Sequence, residues 1–431
     1  MPYQTVPDSV RRFMDRITEL CGTEHADWAE NFNAAFANTL TTTVHRHADG
    51  TTFLLTGDIP AMWLRDSTAQ VRPYLPIAAE DDDLADMIEG LVRLQFRYIG
   101  IDPYANAFNE EPNGATWDPD DRSDFSSPWL WERKYELDSL CYPIQLAWLL
   151  YVNTGRVSQF DDTFISGMRR VLDVLETEQD HARSPYFFIR DCDIPTESLD
   201  NDGRGTPVAP TGMTWSGFRP SDDACTYHYL VPANMFAAVV MGYAERIFTE
   251  IVDDAALAAR ARALRESIDE GLRSHGTMTN AAGETIWAYE VDGLGHALLM
   301  DDSNVPSLMA APYLGYCAAD DPLYLSTRRT LLSAENPFYY EGAYAKGIGS
   351  PHTPPRYVWP IALSIQGLTS PDKAEKAAIL DNLVAIDAGT HLMHEGVCVD
   401  DPTQYTREWF SWSNMMFCEL VMDYFDIRVR H

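Results

Sequence analysis

Positive charge is scarce in this chain. Its 431 residues carry 32 Lys and Arg against 65 Asp and Glu, a formal charge of −33 at pH 7, and such a field repels phosphate backbones and anionic lipid surfaces. Neither nucleic acid nor membrane is expected as a partner, whereas neutral substrates remain open to it. Also missing is any apolar run of the roughly 18 residues needed to cross a bilayer. The opening segment MPYQTVPDSVRRFMDRITEL has no apolar stretch leading to a small-residue cleavage site, so a cytoplasmic protein is expected. The seven cysteines, Cys21, Cys141, Cys192, Cys225, Cys317, Cys398 and Cys418, are odd in number, widely spread and never spaced C-x-x-C. Reduced, mostly buried thiols are expected rather than a disulfide framework or a zinc ribbon.

Several cofactor signatures are lacking too. KGIGSPHT has no P-loop Lys-Ser/Thr, and no G-x-S-x-G elbow occurs. DDLAD, with Asp82, Asp83 and Asp86, has the spacing of a Mg²⁺-diphosphate motif, but acidic residues at that place are what a solvated helix N-terminus favours. DPDDRSD lacks the Gly and spaced Glu of a calcium loop. HLMHEG offers His391 and His394 without a third ligand at a suitable spacing. No metal site and no cofactor are expected.

Helical periodicity is what the chain has in plenty. Phe236, Ala237, Val240, Met241, Ala244, Phe248 and Ile251 recur at spacings of three and four, as do Phe410, Phe417, Leu420, Val421 and Phe425, and each set makes one buried stripe. Comparable segments near 8–21, 27–40, 66–79, 83–98, 134–153, 161–179, 255–274, 304–318, 323–333, 357–368 and 371–386 bring the expectation to about a dozen helices. Alternating strand patterns are few, TTFLLTGD and YFFIRDC being the best, and there is no βαβ rhythm. An all-α fold in a single domain over 1–431 is expected, with paired helices and the working loops at one end. Three long loops, 102–129, 188–223 and 343–360, are rich in Trp, Tyr and Phe, which favours ordered functional loops over linkers.

Through those loops runs a theme of carboxylates beside aromatics and Arg: WLRDS, WERKYELDS, FRPSDDA, YEVDG, MDDSNVPS, MHEGVCVDD and TREWFSWSN. A pyranose presents C–H faces that pack on indole and phenol rings, and hydroxyls that bond charged or amide groups. Cleaving a glycosidic bond then takes two carboxyls, one protonated toward the leaving oxygen and one ionised. Asp222 and Asp223 are adjacent, and two like charges close together disfavour double ionisation. They also open the apolar 224–251 segment, where one of them could cap the helix. Glu395 beside Gly396 would by default be a surface residue of a turn.

Seven segments in order, GDIPAMWLRDSTAQVRPYL, DPYANAFN, WERKYELDSLCYPIQLAW, FRPSDDACTYHYLVPANMF, MDDSNVPSLMAAPYLGY, GIGSPHT and MHEGVCVDDPTQYTREWFSWSNMMFCEL, together resemble glycoside hydrolase family 125, the exo-α-1,6-mannosidases. The resemblance runs from about Thr56 to the C-terminus. It implies an (α/α)6 toroid and a metal-independent, inverting release of terminal mannose from α-1,6-linked mannosides or N-glycan fragments. It places the general acid on an Asp of RPSDD, Asp222 or Asp223, and the general base on Glu395; we take Asp222 as the acid with Asp223 in reserve, and Glu408, near Glu395 in sequence with aromatic neighbours, as the reserve base. Inversion requires roughly 6.5 to 9.5 Å between the two carboxyls, so that a water fits. Trp63 would wall the terminal sugar while Arg65 and Asp66 fix its hydroxyls; a plain buried Arg–Asp pair is the alternative. Asn106, Trp117, Arg133, Tyr135, Asp138, Asn304 and His352 are the further expected contacts with a neutral mannose-containing oligosaccharide. Competing functions are another inverting glycosidase or a phosphorylase on the same fold, the latter having only Arg219, Lys346 and Arg356 as basic candidates, and a non-catalytic sugar-binding protein.

Overall fold

The computed structural model describes residues 2–431. It is helix-rich, with twelve helices of eight or more residues among the described residues and only short strands between them. No helix among them is long and apolar enough to cross a membrane. By internal contacts the chain divides into two units, one made of 1–94, 146–159 and 338–431, the other of 95–145 and 160–337.

In the first unit the helix Ser411–Tyr424 is the organising element. Its residues Ser411 to Asp423 are all buried, and a helix with no wet face must be surrounded. It packs against Ala26–Asn38, Leu64–Val71, Pro360–Leu368 and Lys373–Ala385. Its two buried acids are matched by cations from those surroundings: Glu419 accepts from Arg72 Nε at 2.9 Å, and Asp423 pairs with Lys376. Three short strands, Tyr357–Val358, Gly396–Cys398 and Tyr405–Thr406, make an antiparallel sheet in that order. The expected helix over 66–79 is broken into Leu64–Val71, a 3₁₀ turn Arg72–Tyr74 and Leu75–Ala78. Pro73 and Pro76 supply no N–H to continue the ladder, and their rings crowd the preceding turn.

In the second unit Val231–Glu250 and Ala255–His275 pack on each other, and Asp162–Glu178 lies against the latter. The junction between the pair is short, and Asp254 caps the second helix by accepting from Ala256 N and Leu257 N, a usual N-cap arrangement. Two expectations fail here. The helix foreseen from 224 begins at Val231 with Leu230 at its cap position and no side-chain cap, so Asp222 and Asp223 lie well before it and cap nothing. Of the segment 304–318 only Ala311–Leu314 is helical. The Asp301 carboxyl accepts from Leu308 N at 2.8 Å and Met309 N at 3.0 Å, holding that chain as a buried loop.

Candidate active site

The stretch from Gly57 to Asp66 is shaped by one close approach. Gly57 has φ +144°, and a Cβ there would lie 2.6 Å from the Trp409 carbonyl oxygen, so only glycine fits. The chain then turns back through Pro60 to Trp63, which sits at the N-terminus of Leu64–Val71 in extended conformation. Arg65 and Asp66 thus occupy the first helical turn, where a carboxylate is favoured by the helix dipole. Both are 3% exposed. Arg65 Nε stands 3.4 Å from Asp66 Oδ2, and its guanidinium lies 5.4 Å from the Trp412 ring centroid. The indole nitrogens of Trp63 and Trp412 are buried with no hydrogen-bond partner among the described residues. Donors left open beside an ion pair are what a hydroxyl-rich ligand would satisfy.

Glu395 enters the same unit from the sheet. Its N–H donates to Thr406 O at 3.2 Å, and Met393 N donates to Asn414 Oδ1 at 2.7 Å, pinning the MHE segment from both sides. His394 stacks on Tyr405 at 3.7 Å and contacts the Arg407 and Asp387 carbonyls; it is used structurally. Arg407 links the pieces. Its Nε donates to Asp58 Oδ1 at 3.0 Å, and its guanidinium lies 3.8 Å from Glu395 Oε1. Burial works against that charge, yet the bond to Asp58 and the charges of Glu395, Asp58 and Asp66 outweigh it and hold the guanidinium above its ordinary value. Glu395, Asp66 and Asp58 therefore share one cation.

The second unit holds the Asp222 cluster. Asp222 has φ +66°, a left-handed conformation that costs a non-glycine residue about 1–3 kcal/mol. Its turn is closed by Asp222 N donating to Arg219 O at 2.9 Å and Arg219 N to Asp223 O at 2.8 Å. Ser221 Oγ donates to Asp302 at 2.7 Å, and Arg219 Nε to Glu290 at 2.6 Å. Asn106 Nδ2 lies 3.3 Å from Asp222 Oδ1 and 3.0 Å from Glu132 Oε2. Burial raises the Glu132 carboxyl, Lys134 lowers it, and the charge of Asp222 raises it further. Arg190 bonds Glu132, Glu197 and Asp121. A cleft of ≈ 450 Å³ in this unit is lined by Thr116, Asp121, Phe125, Trp131, Glu132 and Arg133 among others.

Of the sequence candidates, Asp222 with Asn106, and Glu395 with Arg65 and Asp66 by way of Arg407, are brought together. Asp223 is buried. Tyr135 and Asn304 are buried, each with a side-chain oxygen that has no partner among the described residues, and Asp138 is buried in the first turn of Leu137–Thr154. Trp117 lies outside these clusters and is 54% exposed; His352 and Glu408 are also exposed. Arg133 is wholly engaged, bonding Asp102, Ser123 and Asp124 under the rings of Tyr104 and Tyr186; it anchors the 102–129 loop. Of the DDLAD acids, Asp82 and Asp86 pair with Arg156 and Asp83 pairs with Arg46. Asp58, Arg407, Glu132 and Lys134 were not singled out from the sequence. They stand inside the motifs: Glu132, Lys134 and Arg407 are each one residue from a candidate within WERK and TREW, and Asp58 is five residues before Trp63.

Three comparisons bear on this arrangement. A metal-independent α-mannosidase of Streptococcus pneumoniae, solved in a non-productive complex with α-1,6-mannobiose, is 55% identical, covers 99% of this chain and 100% of its own, and superposes with a TM-score of 0.97. The meiotically up-regulated gene 157 protein of Schizosaccharomyces pombe is 38% identical over 450 residues, 98% of this chain and 88% of that protein. A wild-type glycosidase at 13% identity, covering 98% of this chain and 99% of its own, has a TM-score of 0.55 and speaks for the fold alone. Residues 25–422 match the family described as metal-independent α-mannosidase. With the two carboxylate clusters in place and that match over most of its length, the chain belongs to glycoside hydrolase family 125, the metal-independent α-mannosidases.

Proposed function

We propose that this α-mannosidase is an inverting exo-enzyme that releases terminal mannose from α-1,6-linked mannosides, N-glycan fragments among them. The observation that carries this reading is the 55% identical relative solved with α-1,6-mannobiose. Asp222, protonated, donates to the glycosidic oxygen. Glu395, ionised, takes a proton from the water that attacks the anomeric carbon from the opposite face. The assignment to Asp222 rather than Asp223 is supported by its partial exposure and its contact with Asn106.

Arg65 and Asp66 bind hydroxyls of the terminal sugar and Trp63 packs on its C–H face. A sugar with one hydroxyl reversed is rejected because the buried polar groups facing it are left unmatched. Tyr135, Asp138 and Asn304 contribute further polar contacts, while Trp117 and His352 act from exposed loop positions. The twelve helices support a single catalytic domain of (α/α)6 type. The ligand is a neutral oligosaccharide, with nucleic acid disfavoured by the charge of −33. Free thiols at all seven cysteines fit a reducing, cytoplasmic setting.

Proton NMR of the sugar released from α-1,6-mannobiose, with chelator present, tests the reading. β-Mannose as the first anomer is expected. First appearance of α-mannose would mean a covalent intermediate and a different role for Glu395.

A further inference from the structure

Asp222 is held at its backbone carbonyl by Lys134 and at its carboxyl by Asn106. Lys134 is 1% exposed, and its Nζ donates to the Asp222 backbone oxygen at 2.7 Å and to Glu197 Oε2 at 2.7 Å, with Glu132 Oε1 3.8 Å away. A buried ammonium is retained only among such acceptors. The charges of Glu132, Glu197 and Asp222 keep it protonated against burial, which pulls the other way. The Lys134 main chain does something separate. Its N–H donates to Asn106 Oδ1 at 3.1 Å, which fixes the amide so that Nδ2, a donor only, faces Asp222 Oδ1 and the carboxylates of Glu132 and Glu136 at 3.0 and 3.4 Å.

We infer that Asn106 and Lys134 are positioning residues for the general acid: Lys134 clamps the strained Asp222 backbone, and Asn106, oriented by Lys134, makes Oδ1 the acceptor so that the transferable proton resides on Oδ2. The inference rests on the assignment of Asp222 as acid and goes beyond it, because it moves Asn106 from sugar contact to control of a proton. The left-handed φ at Asp222 is the reason a clamp is needed: a conformation that costs free energy persists only where several contacts over-determine it. The step itself is balanced. The Oδ2–H bond breaks as the proton passes to the glycosidic oxygen, whose bond to the anomeric carbon breaks with both electrons leaving on oxygen.

The test uses two substrates that differ in their need for an acid. α-1,6-Mannobiose has a sugar alkoxide leaving group that must be protonated, whereas 2,4-dinitrophenyl α-mannoside leaves as a stable phenolate. General acid assistance is worth about 10²–10⁴-fold. For Asn106→Ala and Lys134→Met, kcat on mannobiose should fall by about 10- to 100-fold, while kcat on the dinitrophenyl mannoside stays within about threefold. The ratio of the two is independent of how much of a variant is folded, so a fold defect in Lys134→Met does not mimic the effect. Asp222→Ala is the reference. If it discriminates between the substrates and Asn106→Ala slows both equally, or neither, the positioning role is overturned and the acid assignment stands. If Asp222→Ala itself slows both substrates equally, Asp222 is not the acid and the inference falls with it.

Discussion

Arg407 shows how much a single residue can carry. Its φ of +48° is unusual for a non-glycine residue, and its guanidinium stands over the Phe410 ring at 4.5 Å while reaching Asp58 and Glu395. The charges of Asp58, Asp66 and Glu395 all act on it, so its removal takes a positive charge away from Glu395, whose Oε1 lies 3.8 Å off. Arg407→Met is therefore expected to lower kcat/KM on α-1,6-mannobiose by about 10²-fold, the scale on which single preorganised electrostatic groups act. Steady-state kinetics with the melting temperature measured in parallel decides this. An unchanged kcat/KM in a stable variant would reduce Arg407 to a scaffold residue.

The buried loop after Asp301 is an element that periodicity misread. The apolar residues Leu308, Met309, Ala310, Ala311 and Leu314 are all buried, which a helical stripe also predicts, so spacing does not distinguish the two. What decides is where the backbone bonds go. Asp301 takes the Leu308 and Met309 N–H groups, Tyr142 donates to Val305 O at 2.9 Å, and Tyr324 donates to Met309 O at 3.0 Å. These partners come from distant positions. Asp301→Ala strands two buried N–H donors and is expected to cost about 2–5 kcal/mol. A urea titration compared with the parent protein measures it. Because Asp302 next door holds Ser221, activity on mannobiose should fall together with stability. A loss under about 0.5 kcal/mol would mean that the loop has another anchor.

Over the whole molecule, stability should depend on pH through His228. Burial pushes its imidazole down to about 4. It is held neutral, with Nε2 accepting from Thr206 N at 3.0 Å and the Nδ1 side 2.9 Å from Ser216 O. The unfolded chain takes up a proton near pH 6.5 that the native chain refuses until about pH 4. The His228 contribution is thus complete above about pH 6.5 and shrinks as pH falls toward 4, by up to about 3 kcal/mol. Unfolding free energies of the parent and His228→Gln, compared at about pH 7 and pH 4.5, should show the gap between them closing on acidification. A gap independent of pH would contradict this account.

What local sequence determined was everything that repeats at short range. The helix Asp8–Cys21 ends where its pattern ends, and Ala255–His275 and Ser411–Tyr424 lie within a residue or two of the expected bounds, because a buried stripe and an end signal are both local properties. The motifs that carry the family were equally legible as strings of residues. Tertiary structure decided which carboxylates share a cation and which side chains are used up in holding loops. Arg407 and Asp58 are 349 residues apart, Asn106 and Asp222 are 116 apart, and no periodicity links such positions. Arg133 and Trp117 looked alike as sugar contacts in the sequence, yet one is sequestered by three partners and the other stands in solvent. Residue type confers the capacity for a hydrogen bond, and only the packed chain, by excluding water and bringing distant groups together, determines which bond is made.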